Sequence, residues 1–221
     1  MREDMVAFDV FLHFGTLVSI VIFFRKDILN MFNKDRATLK FILVACIPTF
    51  IIGILFKDMI EALFTNVKFV GVALITTGIF LLLASFFAMY RKHANKIRPI
   101  GIINSVIIGI AQGIAVVPGI SRSGSTIGTA LIAGLDEDTS LRFSFLLALP
   151  AILGANLLKA KHICGNLVSV EAVPYIAGFI AAMVTGIAAI KALFGILKKN
   201  LFFLFGIYCI LAGSAVILFI K

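Results

Sequence analysis

Thirteen consecutive residues, VVPGISRSGSTIG from Val116 to Gly128, hold an arginine, three serines, a threonine and three glycines between two apolar segments. Arg122 offers a planar fork of donors that matches phosphate oxygens two at a time. Ser121, Ser123, Ser125 and Thr126 add hydroxyls. Pro118 ends a preceding half-helix, and Gly119 and Gly124 permit tight turns. A second half-helix beginning at Ser123 or Gly124 would aim its free N–H groups and positive dipole end at the same point. Those parts together make a phosphate cradle. The alternative sets Arg122 against a buried carboxylate or loop carbonyls, with the serines as helix caps. Capping accounts for one serine, not for four hydroxyls and an arginine at a helix break.

Fewer signals come from elsewhere. Asp9 and His13 are four residues apart and share a helix face. They could line the site or hold a metal, but an interfacial hydrogen-bonded pair is the simpler expectation. Gln112 lies in the first half-helix and faces either the cavity or a partner carbonyl. The G-x-x-x-G patterns at Gly109–Gly113 and Gly124–Gly128 suit close helix packing. Asp136–Asp138 reads as a solvated turn. Cys46, Cys164 and Cys209 are far apart in sequence, with no metal or disulfide signature, and are expected to be buried packing residues. A lipid phosphatase of the acid-phosphatase kind would carry a histidine nucleophile at position 128; Gly128 stands there, which disfavours that mechanism.

The elements that must position these residues are apolar helices. The chain has 221 residues, 61% hydrophobic and 14% charged, with mean hydropathy +1.12. A soluble domain is about a quarter charged. The pattern predicts one all-α polytopic membrane domain over residues 1–221. Six transmembrane helices are expected at Met5–Phe24, Phe41–Phe56, Phe69–Tyr90, Phe143–Leu158, Tyr175–Leu197 and Leu201–Ile220. Pro48 and Pro150 are tolerable inside them, since neighbouring helices re-satisfy freed carbonyls. Ile100–Val117 could just cross, but Ile127–Leu135 makes only about 13 Å of helix. Residues 100–135 therefore read as a re-entrant helix–loop–helix, because irregular backbone at membrane depth must be buried in protein or line a cavity. An arginine there costs at least ~2.5–3.5 kcal/mol, which argues for a functional role.

A net charge of +9 fits loop topology rather than nucleic acid, which would require a concentrated basic face. If the spans alternate, the loops on one side carry 13 Lys and Arg against 6 on the other. That bias puts the richer side in the cytoplasm and both termini outside. AFDVFLHFGTLVSIVIFF from Ala7 weakly repeats in RFSFLLALPAILGANLL from Arg142, and LVACIPT from Leu43 in FIAAMVT from Phe179. The halves, 5–98 and 99–221, would each hold three spans and be inverted relative to each other, an arrangement that places sites near the midplane at broken helices.

The segments QGIAVVPGISRSGSTIG from Gln112, FSFLLALPA from Phe143, and FDVFLHFGT from Phe8 with the following FFRKDI closely resemble signatures of the undecaprenyl-diphosphate phosphatases, the bacitracin-resistance membrane phosphatases. The resemblance runs from about Ala7 to the C-terminus. It implies six spans with two inverted re-entrant hairpins, in the cell membrane. It also implies hydrolysis of a C55 polyprenyl diphosphate to its monophosphate on the outer face, recycling the carrier for envelope polymers, with a divalent cation (Mg²⁺ or Ca²⁺). By this resemblance Arg122 clamps the diphosphate, with Ser121, Ser123 and Thr126 as hydrogen-bonding or catalytic hydroxyls and Gly119, Gly124, Ser125 and Gln112 around the substrate.

One part of the family pattern has no match. Its first hairpin, E-G-x-x-E-F with a later S-S-x-G-H, supplies metal-binding and acid–base groups ahead of the segment that matches Phe8. No such motif occurs in these 221 residues, where Gln112 stands at the position its twin fills with glutamate. The expectation is a longer native enzyme; otherwise the chain is a natural truncation, inactive alone or dependent on another chain. A transporter of the lipid phosphate, or a remnant that only binds it, is the alternative function. Polyprenyl diphosphate is the expected partner and nucleic acid is not; a homodimer is compatible with this architecture but nothing in the sequence requires it.

Overall fold

The computed structural model describes residues 3–63, 66–93, 97–163 and 172–219. Among them are ten α-helices and no strand. In chain order they are α1 (Glu3–Phe23), α2 (Arg25–Asn33), α3 (Arg36–Leu55), α4 (Lys57–Leu63) and α5 (Val67–His93). Then follow α6 (Ile102–Ile114), α7 (Arg122–Ala133), α8 (Glu137–Ile163), α9 (Ala172–Lys198) and α10 (Phe203–Phe219). By length and composition α3, Val67–Arg91 of α5 and Val173–Lys198 of α9 can cross a bilayer. The pair α1 and α2, bent by 67°, would add a fourth span, and α6 and α10 are shorter apolar helices. The chain is a helical membrane protein.

Several boundaries differ from the sequence reading. Between the first two expected spans, residues 25–33 form a helix of their own, α2, because Ile28, Leu29, Met31 and Phe32 recur at helical spacing. Asp136–Asp138 is not a solvated turn. Asp136 caps α8, accepting the Thr139 amide at 3.0 Å and the Thr139 hydroxyl at 2.6 Å, and Asp138 pairs with Arg142 at 2.5 Å within the helix. α8 therefore begins six residues before the expected Phe143. Cys46 and Cys209 are buried, as expected; Cys164 lies outside the described residues.

The chain divides into two compact units, each built from both halves of the sequence. The first comprises Met1–Arg36 and Phe145–Phe194. Within it α1 meets α9 through small residues. A Cβ on Gly15 would lie 2.5 Å from the Phe179 carbonyl oxygen, and one on Gly178 would lie 2.8 Å from the Phe8 ring. Such close approach is how helices associate where lipid removes the hydrophobic drive. Tyr175 takes Phe8 and Phe11 edge-on, with ring centroids 5.7 and 5.3 Å away.

The second unit comprises Ala37–Ser144 and Gly195–Lys221. Here α5 and α10 run against each other on paired glycines, Gly71 with Gly213 and Gly78 with Gly206. α6 lies on α3 through the face carrying Gly109 and Gly113, which meets Ala45, Pro48 and Ile52. Thr49 donates its hydroxyl to the Ala45 and Gly109 carbonyls at 3.0 and 2.8 Å, joining the two helices. Gly128 faces Phe80 and Ala84 of α5, so both G-x-x-x-G patterns mark close packing.

Candidate active site at the break between two half-helices

The apolar run from Ile102 stops at Ile114, and three one-turn hydrogen bonds coil the chain through Val116, Val117 and Ile120. Pro118 cannot donate to a continuing helix. Gly119 then adopts φ +89°, a left-handed conformation that side chains resist, and a Cβ there would lie 2.6 Å from the Val70 carbonyl oxygen. Thr77 of α5 donates to the Gly119 carbonyl at 3.4 Å. The break is thus a turn seated on α5.

α7 starts earlier than the sequence suggested, at Arg122, because Ser121 takes the N-cap. The Ser121 hydroxyl oxygen accepts the Gly124 amide at 3.1 Å, and the Ser121 carbonyl accepts the Ser125 amide at 2.8 Å. The amides of Arg122 and Ser123 are left to point out of the helix end, with no acceptor among the described residues. Arg122 and Ser123 are exposed while Gly124, Ser125 and Thr126 behind them are buried. Among the described residues the Arg122 guanidinium has neither an ion pair nor a hydrogen bond. The carboxylate or carbonyl partner that a structural role would need is missing there. The Arg122 fork, two outward amides and the Ser121 and Ser123 hydroxyls thus all belong to the N-cap and first turn of a twelve-residue helix. Groups of these kinds at a helix N-terminus are able to hold an oxyanion.

Thr126 is placed differently from the other hydroxyls. It is 1% exposed and bonds inward, to the Arg122 and Ser123 carbonyls at 3.0 and 3.2 Å and to the Ser144 hydroxyl of α8 at 2.5 Å. It holds the first turn of α7 rather than facing outward. Gln112 is likewise buried within α6. Ser125, 8% exposed, lies two residues past Ser123, behind the outward pair.

The family model of bacitracin resistance protein BacA matches residues 1–215. The chain belongs to that family. Among curated relatives, an undecaprenyl-diphosphatase of Halothermothrix orenii is 42% identical over 222 residues, covering 99% of this chain and 85% of the relative. One of Carboxydothermus hydrogenoformans is 38% identical, over 98% of this chain and 84% of the relative. Another, of Methanobrevibacter smithii, is 33% identical, over 97% and 84%.

For the divalent cation expected from the resemblance, this member of the BacA family shows no cage among the described residues. Among the described residues no three His, Cys, Asp or Glu side chains group together. Asp9 and His13 do meet, Nε2 to Oδ1 at 3.4 Å, but both are about half exposed and make a two-donor pair. A hard cation wants six or more oxygens, or several plus waters. Asp136 and Asp138, at the start of α8, are committed as well, to Thr139 and Arg142. Burial raises the affinity of Asp136 for its proton, but the hydroxyl and amide of Thr139 outweigh it and hold the carboxyl below the ordinary range.

Sequence reasoning missed the supports of this candidate site. Ser144 was passed over inside an apolar span, yet it is 3% exposed and anchors Thr126. The available signal was its spacing from Ser140, four residues earlier, which put two hydroxyls on the same face of α8. Val70, Ala73 and Thr77, which seat Gly119, gave no signal at all, since their contact with the break is made by tertiary packing.

Proposed function

We propose that this protein is a membrane phosphatase that hydrolyses a polyprenyl diphosphate, undecaprenyl diphosphate by the name its relatives carry, to the monophosphate and inorganic phosphate. Water is added across the P–O–P bond, the lipid keeps one phosphoryl group, and the carrier returns to envelope synthesis. The observation that carries this reading is the uncommitted Arg122 at the first turn of α7, beside the free amides of Arg122 and Ser123. The fork takes two oxygens of the terminal phosphate, and the amides take charge that accumulates as the bridging bond breaks. The Ser121 oxygen already accepts an N–H, so its proton is free to donate, and Ser123 presents a second hydroxyl. Thr126 keeps the turn in shape. The stretch Val116–Gly128 contains no Asp, Glu, His or Cys that could hold a metal.

The surrounding architecture belongs to the same proposal: one integral domain with six spans in two inverted halves, 5–98 and 99–221. The α6–α7 hairpin is the re-entrant element, the bilayer is the cell membrane, and both termini lie outside. The family match and the apolar helices support it, as does the assembly of each compact unit from both halves of the sequence.

Arg122→Lys is the test, because a point charge cannot reproduce the fork. Polyprenyl diphosphate binding and phosphate release are measured in detergent and in proteoliposomes, with and without Mg²⁺. The expected result is weakened binding together with a loss of turnover of about 100-fold. Unchanged binding and turnover would remove Arg122 from the site. Movement of the lipid across the bilayer without phosphate release would replace hydrolysis by transport.

A further inference from the structure

The helix α2 is the part of the fold that the phosphate site does not use. It leaves α1 at a 67° bend centred on Phe24. That bend is fixed rather than loose. Phe24 is fully buried, and its ring lies 5.6 Å from Phe145, 6.1 Å from Phe194 and 4.9 Å from Phe23, centroid to centroid. Arg25 donates to the Ile22 carbonyl at 3.1 Å, satisfying an acceptor that the bend would otherwise strand. The direction of α2 is therefore set by an aromatic cluster inside the first compact unit.

The nine residues RKDILNMFN are amphipathic in a way the spanning helices are not. Met31 is buried, but Leu29 and Phe32, on the adjoining edge of the apolar face, are each 61% exposed. Lys26, Asn30 and Asn33 form the opposite, polar face, and all three are exposed. Residues 25–40 carry five basic side chains (Arg25, Lys26, Lys34, Arg36 and Lys40) against two acidic ones (Asp27 and Asp35). A helix too polar to cross, held at an angle to a spanning helix, with an uncovered apolar edge and a net positive surround, has the composition of an element lying in the membrane–water interface. Charge complementarity selects the occupant, since clustered Lys and Arg beside such an edge favour anionic headgroups over zwitterionic ones.

We propose that α2 is an interfacial membrane-binding helix, with Leu29 and Phe32 inserted at the boundary between headgroups and acyl chains and with Lys26, Lys34 and Arg36 bound to anionic phospholipid. The site does not depend on the phosphatase reading, and the test reads no activity. The chain has no tryptophan, so Phe32→Trp installs a single fluorescent reporter, and Leu29→Trp supplies a second should the first fail to fold. Each is reconstituted in phosphatidylcholine vesicles with and without phosphatidylglycerol, using lipids brominated either near the headgroup or near the chain end. The expected result is blue-shifted emission, quenched about twofold more strongly by the shallow bromines, as for a helix lying in the interface. Added phosphatidylglycerol should strengthen the shallow quenching, and Lys26→Glu with Lys34→Glu should abolish that gain. Stronger quenching from the deep bromines would make α2 the continuation of a span and overturn the proposal. Emission insensitive to both lipids would mean that protein, such as a second copy of the chain, covers the edge, and would overturn it equally.

Discussion

At the residue scale, one hydroxyl separates recognition from support. Thr126 lies in the same short motif as Ser121 and Ser123, yet its hydroxyl points into the protein, bonding the Arg122 carbonyl and Ser144. Its role is to fix the turn that carries Arg122, and a buried bond of this kind can be isolated energetically. Thr126→Val and Ser144→Ala each remove one side of the contact; each should cost about 1–3 kcal/mol, because the partner left behind loses a buried bond. The double variant should be less destabilised than the sum of the singles, with a coupling of about 0.5–3 kcal/mol. Thermal or denaturant unfolding of all four proteins in detergent measures this. Strict additivity would mean that the two hydroxyls do not act through each other.

At the element scale, backbone proximity decides what can be substituted. A Cβ on Gly78 would lie 2.6 Å from the Gly206 carbonyl oxygen and 2.9 Å from the Ile210 amide nitrogen, and neither backbone group can swing away. Gly53, also within a helix, would meet nothing within 4 Å. Gly78→Leu should therefore force α5 and α10 apart and cost at least about 1–3 kcal/mol, while Gly53→Leu should stay within about 0.5 kcal/mol of the parent. Comparing midpoints of thermal unfolding in one detergent checks both, and equal midpoints would show that the crossing tolerates a side chain. These contacts also show what could be read in advance. The break at Pro118–Gly119 and the short half-helices on either side follow from local chemistry, since proline, a left-handed glycine and an N-cap serine act on their own neighbours. The pairing of Gly71 with Gly213 and Gly78 with Gly206 joins residues far apart in sequence, and no local rule places them together. At residues 25–33 the apolar spacing is local too, but that Met31 is buried while Leu29 and Phe32 stay exposed depends on the α1–α2 bend, which no local rule sets.

At the scale of the whole molecule, the proposed inverted arrangement makes a demand that local packing does not. If six spans alternate, the segment around Lys34 and the one around Lys199 share a side, and Asn66 lies on the other. The basic residues bear on this: under that alternation 13 Lys and Arg fall to one side of the membrane and 6 to the other. A bias of that size in short loops retains the richer side in the cytoplasm. Lys34→Cys, Asn66→Cys and Lys199→Cys, each introduced after the native cysteines are replaced by alanine, can be probed in intact cells with a membrane-impermeant maleimide. Asn66→Cys should label at once, and Lys34→Cys and Lys199→Cys only after the membrane is opened. Labelling of positions 34 and 199 on opposite sides would break the alternation and, with it, the inverted halves. Labelling of both from outside would instead keep the halves and reverse their orientation. The second result bears directly on the chemistry, because it would turn the α6–α7 hairpin to enter from outside and change the leaflet from which Arg122 reaches its phosphate.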